Sequence, residues 1–228
     1  MGFTCAQSMI AFMKIALCSA VSACLCILSA PALCSAVTVL VHDGSGKPLA
    51  DIVLYAEPED GMALPNSPTA VQIEQRGLKF LPQVSVVQAG SQISFPNNDR
   101  VRHHIYSFSP AKRFDQKLYS GVTASPQVFD KAGTVVLGCN IHDRMIAYVK
   151  VLDTPFFAKS DADGIARIAL PAAGKYALKA WHFNLAAGAN AEQIVTVKAG
   201  DAATAASFRL LMKAPAAEVD VPASARSL

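Results

Sequence analysis

Three side chains that can bind a metal lie close together in the segment LGCNIHDRM, residues 137 to 145. Cys139, His142 and Met145 are spaced three residues apart and follow an apolar, β-branched run that predicts a strand. A thiolate binds copper or zinc strongly and imidazole suits either metal, whereas a thioether is a poor zinc ligand but a reasonable weak ligand for copper. The three donors together favour copper over zinc, although each residue taken singly is also an ordinary buried thiol, turn histidine or core methionine.

A trigonal copper site of the blue, electron-transfer kind needs one cysteine and two histidines with a weak methionine, so this loop lacks one histidine. The nearest candidates upstream are His103 and His104, where a polar turn passes into a predicted strand. Neighbouring side chains on a strand point to opposite faces, so only one of the pair can readily face a metal that the loop also binds.

The cysteines divide sharply along the chain. Five of the six lie before residue 37, and only Cys139 lies beyond it. Residues 1–36 carry a single charge, Lys14, followed by an apolar run of small residues, which predicts a secretory signal peptide cut after Ala36 or, as an alternative, after Ala32. A membrane helix is the competing interpretation, but Pro31 and the small residues are typical of a cleavage region. The protein is therefore predicted to be periplasmic or secreted, with no membrane span after cleavage.

An exported protein occupies an oxidising compartment, where cysteines normally occur in pairs, so a lone cysteine there favours a metal ligand. The mature chain would keep 19 of the 20 basic residues and all 17 acidic ones, a formal charge near +2 that indicates no nucleic-acid partner. The sequence also lacks a Ser-His-Asp order signature and a phosphate-binding glycine loop. Since four protein donors would leave no open position for substrate, the sequence predicts a protein that is not an enzyme.

Short runs rich in Val, Ile, Tyr and Phe recur between turn clusters through most of the chain, and no window has a helical period of useful length. The fold class is predicted to be all-β, built from antiparallel sandwiches. Lys112, Arg113 and Lys117 are interpreted as a solvated loop, with guidance of an acidic partner as the alternative. Residues 213–228, rich in Ala, Pro and Ser, are predicted to be a disordered tail.

Two family resemblances divide the mature chain. The stretches VTVLVHDGSGKPLADIVLYAEP and KSDADGIARIALPAAGKYALKAWH resemble the carboxypeptidase regulatory-like, or transthyretin-like, β-sandwich. On this basis residues 37–70 plus 153–212 would form one sandwich, and residues 71–152 would be a second sandwich inserted into it. The alternative is two tandem domains with a short N-terminal arm.

The inserted segment resembles the cupredoxins, which implies a Greek-key β-sandwich that binds copper. The resemblance is carried by FLPQVSVVQAGSQISFPNND, by Gly133 six residues before Cys139, and by the Cys-x-x-His-x-x-Met spacing, which is similar to the short ligand loop of amicyanin. Counting the family's Asn-x-Asp-x-x-x-His pattern from Asn97 gives His103. The resemblance thus implies His103, Cys139, His142 and Met145 as ligands of one type 1 copper ion, with His104 as the alternative to His103.

The same pattern is similar to bacterial proteins labelled as methylamine utilisation proteins with a plastocyanin-like domain. The resulting hypothesis is an exported mononuclear type 1 (blue) copper protein that carries one electron at a time to or from a redox partner protein, a cytochrome or a dehydrogenase. The alternatives are a copper-binding module for delivery or sensing, and a metal-free structural or adhesive β-sandwich protein.

Overall fold

The computed structural model describes residues 35–119, 125–189, 191–198 and 204–213. The predicted disordered segment from residue 214 onward and all but two residues of the predicted leader lie outside these ranges. The described residues form seventeen β-strands and no helix. The strands are β1 Ser35–Asp43, β2 Val53–Pro58, β3 Ala70–Gln72, β4 Glu74–Gln75, β5 Phe80–Leu81, β6 Val84–Gln88, β7 Ser91–Ser94, β8 His103–Ser109, β9 Lys112–Tyr119, β10 Gln127–Phe129, β11 Gly133–Cys139, β12 Ile146–Leu152, β13 Phe157–Lys159, β14 Ile165–Leu170, β15 Gly174–Trp181, β16 Glu192–Val197 and β17 Thr204–Leu210.

The prediction of an all-β sandwich fold is confirmed. Strand β14, IARIAL, shows why the pattern is readable, because its side chains alternate strictly between exposed and buried positions. No helix long and apolar enough to cross a bilayer occurs in the part of the chain that the structure describes.

One predicted loop is wrong, since the basic run around Lys112, Arg113 and Lys117 belongs to strand β9. The run alternates as a strand does: Phe114 and Gln116 are partly buried, whereas Arg113, Asp115 and Lys117 are exposed. Strand β9 is the edge of its sheet, and charged residues on the outer face of an edge strand are a common feature that discourages pairing with other chains.

The first sandwich packs the sheet β14-β1-β17 against the sheet β13-β2-β15-β16. Strand β1 pairs antiparallel with β14 and parallel with β17. The two inner faces share a buried apolar cluster that includes Val39, Leu54, Ile168, Leu178 and Phe208. Burial of each such side chain stabilises the fold by about 1.5–3 kcal/mol.

The second sandwich contains the sheet β6-β12-β11-β8-β9, the sheet β10-β7-β3 and the short pair β4-β5. Its inner faces form a separate buried cluster, in which Ile93, Phe95 and Phe129 pack with Leu137 and Val149. Cys139 belongs to this cluster, so the predicted metal-binding loop lies at one end of an apolar core.

Strand pairing divides the chain in a discontinuous way. Among the described residues, strands before residue 59 pair only with strands after residue 156, and strands between residues 70 and 152 pair only with one another. This is the pairing that insertion of one sandwich into the other requires. Strand β1 already begins at Ser35, opposite Leu170, so a signal cut after Ala36 would fall inside this strand.

The two sandwiches meet through an aromatic and apolar seam. Val53, Val84 and Leu152 are buried together there. The ring of Tyr148 on β12 stacks on Phe183, with centroids 4.1 Å apart and planes inclined by 2°. All described residues belong to a single compact unit, so the seam joins the sandwiches into one body.

Gly164 closes the hairpin before β14, and we expect Gly164→Ala to lower the free energy of unfolding by about 2 to 4 kcal/mol. Its φ is +74°, and an added Cβ would lie 2.3 Å from the backbone oxygen of Val41, which cannot move without breaking β1. Chemical denaturation of the metal-free protein measures the loss.

The matched control is Gly188→Ala. Gly188 has nearly the same φ, +75°, but nothing lies within 4 Å of an added Cβ. In this variant the free energy of unfolding should therefore fall only by the cost of the left-handed backbone conformation, about 1 to 2 kcal/mol. Equal losses in the two variants would contradict the steric explanation.

Candidate metal centre

The thiol of Cys139 is the centre of a compact donor cluster. Cys139 ends strand β11, is 3% exposed and is a free cysteine. Its Sγ lies 3.7 Å from Nδ1 of His103 and 3.6 Å from Nδ1 of His142. The donor atoms of the three residues all lie within 4.8 Å of one another. The same ring nitrogen of each histidine thus faces one buried sulfur.

His103 reaches the sulfur because of its register on β8. Side chains of this strand alternate, and His103 and Ile105 point into the sandwich, fully buried. The ladder between β8 and β9 slips between His103 and Ile105, an irregularity that is often found beside functional sites, where it re-aims a side chain.

His104 points the other way, out of the sandwich. Its Nε2 pairs with a carboxylate oxygen of Asp115 on β9, and its ring lies edge-on to Tyr106. The backbone oxygen of His104 accepts a hydrogen bond from the amide of Asn140, which joins β8 to the loop after Cys139. The structure therefore places His103 with Cys139 and His142 and keeps the His104 ring on the opposite face of the sheet.

The loop after Cys139 is a tight turn. The amide of Met145 donates to the backbone oxygen of His142 at 2.9 Å, and this turn returns the chain toward β12. The turn folds His142 back over Cys139, and its ring lies 5.0 Å from the ring of His103, edge to face. His142 is partly exposed, unlike the two buried members of the cluster.

Met145 follows the turn and is buried, 1% exposed, in the same apolar cluster as Cys139. The fourth predicted donor therefore lies on the interior side of the loop.

A carboxylate holds the far side of the His103 ring. Nε2 of His103 lies 2.8 Å from Oδ2 of Asp99, whose two oxygens also accept the backbone amides of Gly77 and Leu78. Burial raises the pKa of Asp99, but the hydrogen bonds from His103 and from these amides outweigh it and hold the pKa below the usual value. Asp99 is thus a carboxylate at neutral pH, and it accepts the proton of Nε2.

Behind this pair lies a buried polar network. The hydroxyl of Tyr119 donates to the backbone oxygen of Phe95 at 2.5 Å, and the amide of Gln75 donates to both atoms. Asn97 donates to the backbone oxygens of Val101 and Tyr119. These bonds join three chain segments around the turn that carries Asp99.

Burial raises the pKa of Tyr119 to about 12, against a lowering effect of the hydrogen bond from Gln75, and a negative charge at Cys139 adds to the rise. The phenol therefore keeps its proton at neutral pH and serves as a donor in the network.

The spacing of the donors fits a metal ion. An ion about 2.3 Å from a thiolate and about 2.0–2.1 Å from an imidazole nitrogen separates the two donor atoms by about 3.5–3.8 Å at trigonal to tetrahedral angles. The two sulfur–nitrogen distances of 3.7 and 3.6 Å agree with this value. The cluster of His103, Cys139 and His142 could thus hold a metal ion without rearrangement of the surrounding strands.

The polar residues behind His103 were not assigned a role from the sequence. In the sequence Asp99 is the third position of the Asn-x-Asp-x-x-x-His pattern, and no pattern indicates a role for Gln75 or Tyr119. A carboxylate four residues before a candidate ligand was a signal for Asp99. No comparable signal marked Gln75, because its partners come from distant strands.

Comparison with known proteins finds no family model that matches the sequence and no curated protein that matches it. Among solved structures, the chain is similar to a copper-containing nitrite reductase from Thermus scotoductus, with 23% identity and a TM-score of 0.35 over 42% of this chain and 25% of that one. It is also similar to a purple cupredoxin from Nitrosopumilus maritimus, with 22% identity and a TM-score of 0.33 over 36% of this chain and 99% of that one.

A mutant of amicyanin in the Cu(I) form is 17% identical, with a TM-score of 0.34 over 36% of this chain and 82% of that one. The chain therefore spans about a quarter of the nitrite reductase and most of the other two proteins. At these identities and TM-scores the similarity carries no argument about what this chain binds or does. The solved structures that part of this chain resembles are cupredoxins.

Proposed function

We propose that this protein is an exported mononuclear type 1 copper protein that carries one electron at a time. His103, Cys139 and His142 would be the strong ligands and Met145 the weak one. The observation that carries the proposal is the convergence of two Nδ1 atoms on one buried sulfur, at 3.7 and 3.6 Å. When bound, copper would supply the one-electron couple between Cu(II) and Cu(I).

The donor set supports copper over zinc. No carboxylate joins His103, Cys139 and His142 in the donor cluster among the described residues. The next sulfur in the chain is the buried thioether of Met145, which is a poor zinc ligand but a suitable weak ligand for copper.

The surroundings of the cluster support electron transfer rather than delivery of the metal. His103 is held at Nε2 by Asp99, and Cys139 ends a strand that is paired with β12 and, at its end, with β8. Donors held by a sheet keep their positions in both oxidation states, and this lowers the rearrangement that each electron transfer needs. Only His142 of the three reaches solvent, so its ring would be the contact for a partner.

Titration of the purified mature protein with Cu(II) tests the proposal. We expect one equivalent to bind, with an intense visible band and an electron paramagnetic resonance spectrum of a copper–thiolate centre, and repeated reduction and oxidation without loss of the metal. A colourless protein would remove the proposal. A coloured protein that, once reduced, loses its copper to a Cu(I) chelator would instead favour the delivery module.

The edge of the sandwich beside His142 carries exposed apolar residues and two basic residues against one acidic residue, Asp143, and this balance suits a redox partner with an acidic surface. Ile141 and Ile146 are 49% and 38% exposed. Lys79 and Arg144 line a groove with Ile146, and neither has an ion-pair partner within the described residues. Charges of this kind speed the encounter with an oppositely charged partner.

We expect Arg144→Glu to slow oxidation of the Cu(I) protein by hexacyanoferrate(III), an anionic probe, on the order of tenfold at low ionic strength. The reason is that the variant replaces a positive charge, which attracts the anion to the edge that carries His142, by a negative charge. The difference should shrink as salt rises, because salt screens exposed charges. Stopped-flow absorption measures the rate.

Lys175→Glu is the charge-matched control, since Lys175 is exposed on β15 of the other sandwich. Equal slowing by the two variants would show that net charge acts rather than this edge.

We also propose the arrangement in which residues 71–152 are a cupredoxin domain inserted into a regulatory-like sandwich of residues 37–70 and 153–212. The strand pairing on both sides of the insert supports it. The proposal also includes export to the periplasm or the medium and a role other than enzyme catalysis. It includes, too, assignment to the methylamine-utilisation type of protein. The predicted leader supports export.

A further inference from the structure

Of the two histidines in the donor cluster, only His103 has a partner at both ring nitrogens among the described residues. Nδ1 faces the sulfur of Cys139 at 3.7 Å, and Nε2 lies 2.8 Å from Oδ2 of Asp99. The side chains of His103 and Asp99 are 0% and 13% exposed, so water competes little for either contact. A carboxylate at Nε2 fixes the proton on that nitrogen and leaves the lone pair of Nδ1 free to face the sulfur.

Asp99 is itself held from the opposite side by the turn between β4 and β5. The backbone amide of Gly77 donates to Oδ1 at 2.6 Å and that of Leu78 donates to Oδ2 at 3.1 Å. Both residues have positive φ, 62° for Gly77 and 57° for Leu78. Leu78 is 48% exposed, so no burial of its side chain accounts for this strained conformation. The conformation does aim two consecutive amides at one carboxylate.

Further hydrogen bonds stabilise the β4–β5 turn. The amide of Arg76 donates to the backbone oxygen of Lys79, and Glu74 accepts hydrogen bonds from Arg76 and Asn98. The turn is therefore tied to the segment that leads to His103. Three elements, the β4–β5 turn, the Asp99 carboxylate and the His103 ring, form one chain of contacts that ends at the sulfur.

We propose that Asp99 is a positioning residue that fixes the His103 ring and, through its negative charge, favours the higher oxidation state of the bound metal. The proposal rests on the proposed function of the site. A negative partner makes the imidazole a stronger electron donor, and a stronger donor stabilises Cu(II) more than Cu(I). The protein thereby sets a lower reduction potential than the same ligands would give with a neutral partner.

Asp99→Asn tests the proposal, because asparagine keeps the shape and an oxygen acceptor but removes the charge. We expect Cu(II) affinity to fall about 10- to 100-fold, within the range typical of such changes around metal ligands. If Cu(I) affinity is unchanged, each tenfold loss raises the reduction potential by about 59 mV. Protein-film voltammetry and competition titration for both oxidation states measure the two effects.

The chain contains a matched control. His104 and Asp115 form a second histidine–carboxylate pair, anchored one residue further along β8 but on the opposite face. Asp115→Asn should leave affinity and potential unchanged. An Asp99→Asn protein with wild-type potential, or an equal shift in Asp115→Asn, overturns the proposal.

Two further outcomes are distinguishable. A wild-type protein that binds no copper refutes the proposed function itself, before any Asp99 variant is compared. If Asp99→Asn does not fold, the tautomer of His103 in the metal-free wild-type protein decides, as read from imidazole nitrogen-15 shifts. A proton on Nε2 supports the proposal, and a proton on Nδ1 overturns it.

Discussion

Replacement of Cys139 by serine is expected to remove the intense visible absorption of the copper-loaded protein. The thiolate is the one anionic soft donor of the cluster, and its bond to Cu(II) gives blue-copper sites their colour. Serine fills nearly the same volume at this buried position but offers a hard, protonated oxygen. We expect Cu(II) affinity to fall more than about 100-fold, beyond the range typical of residues that only support a ligand.

Absorption and electron paramagnetic resonance spectra of Cys139→Ser, recorded after addition of one equivalent of Cu(II), measure this effect. Circular dichroism and denaturant unfolding of the metal-free variant serve as the control for folding. Because Cys139 is 3% exposed and packed in an apolar cluster, serine should cost about 1 kcal/mol or more of stability without loss of the fold. A variant with the wild-type spectrum would show that the colour arises elsewhere.

His103→Ala and His104→Ala should behave in opposite ways, although the two residues are neighbours. His103→Ala removes a donor that faces the sulfur, so we expect at least a 100-fold loss of Cu(II) affinity, about 2.7 kcal/mol, and a changed visible spectrum. His104→Ala removes a ring that pairs with Asp115 on the other face, so affinity should stay within about twofold of the wild type.

Competition titration of both variants against a chelator of known copper affinity gives the two constants. Added imidazole offers a further check, because it can occupy the space that alanine leaves and restore colour to His103→Ala. If His104→Ala lost its copper while His103→Ala kept it, the assignment of the ligands would have to be exchanged.

The β-sandwich class could be predicted from the sequence because short runs rich in Val, Ile, Tyr and Phe recur between turn clusters, and several of these runs alternate between more and less buried residues. Strand β14 is the clearest case. Strand β9 was missed since its charges, Lys112, Arg113 and Lys117, hide the alternation of Phe114 and Gln116. Short strands such as β4 and β5, with two residues each, carry no periodic signal at all and exist through their tertiary partners.

The clustering of His103, Cys139 and His142 could be predicted from the sequence, but the residues that support the cluster could not. Side-chain chemistry and spacing indicated Cys139, His142 and Met145 as candidate donors, and alternation along the strand indicated that only one of the two adjacent histidines faces them. The link from Asp99 to Gly77 and Leu78 was beyond prediction, because it depends on a left-handed conformation at Leu78, a residue type that rarely adopts it. The conformational preferences of neighbouring residues do not predict a turn whose conformation is imposed by tertiary contacts.

The parallel pairing of β1 with β17 has a consequence for biosynthesis. Val37 lies opposite Thr204, so the sheet that contains β1 cannot be completed until β17, more than 150 residues further along the chain, has been translated. The sandwich that carries the candidate metal cluster is translated in between, and among the described strands it depends on none after residue 152 for its own ladders. A nascent chain truncated before residue 204 would therefore retain the candidate metal ligands but leave one edge of β1 unpaired and open to aggregation.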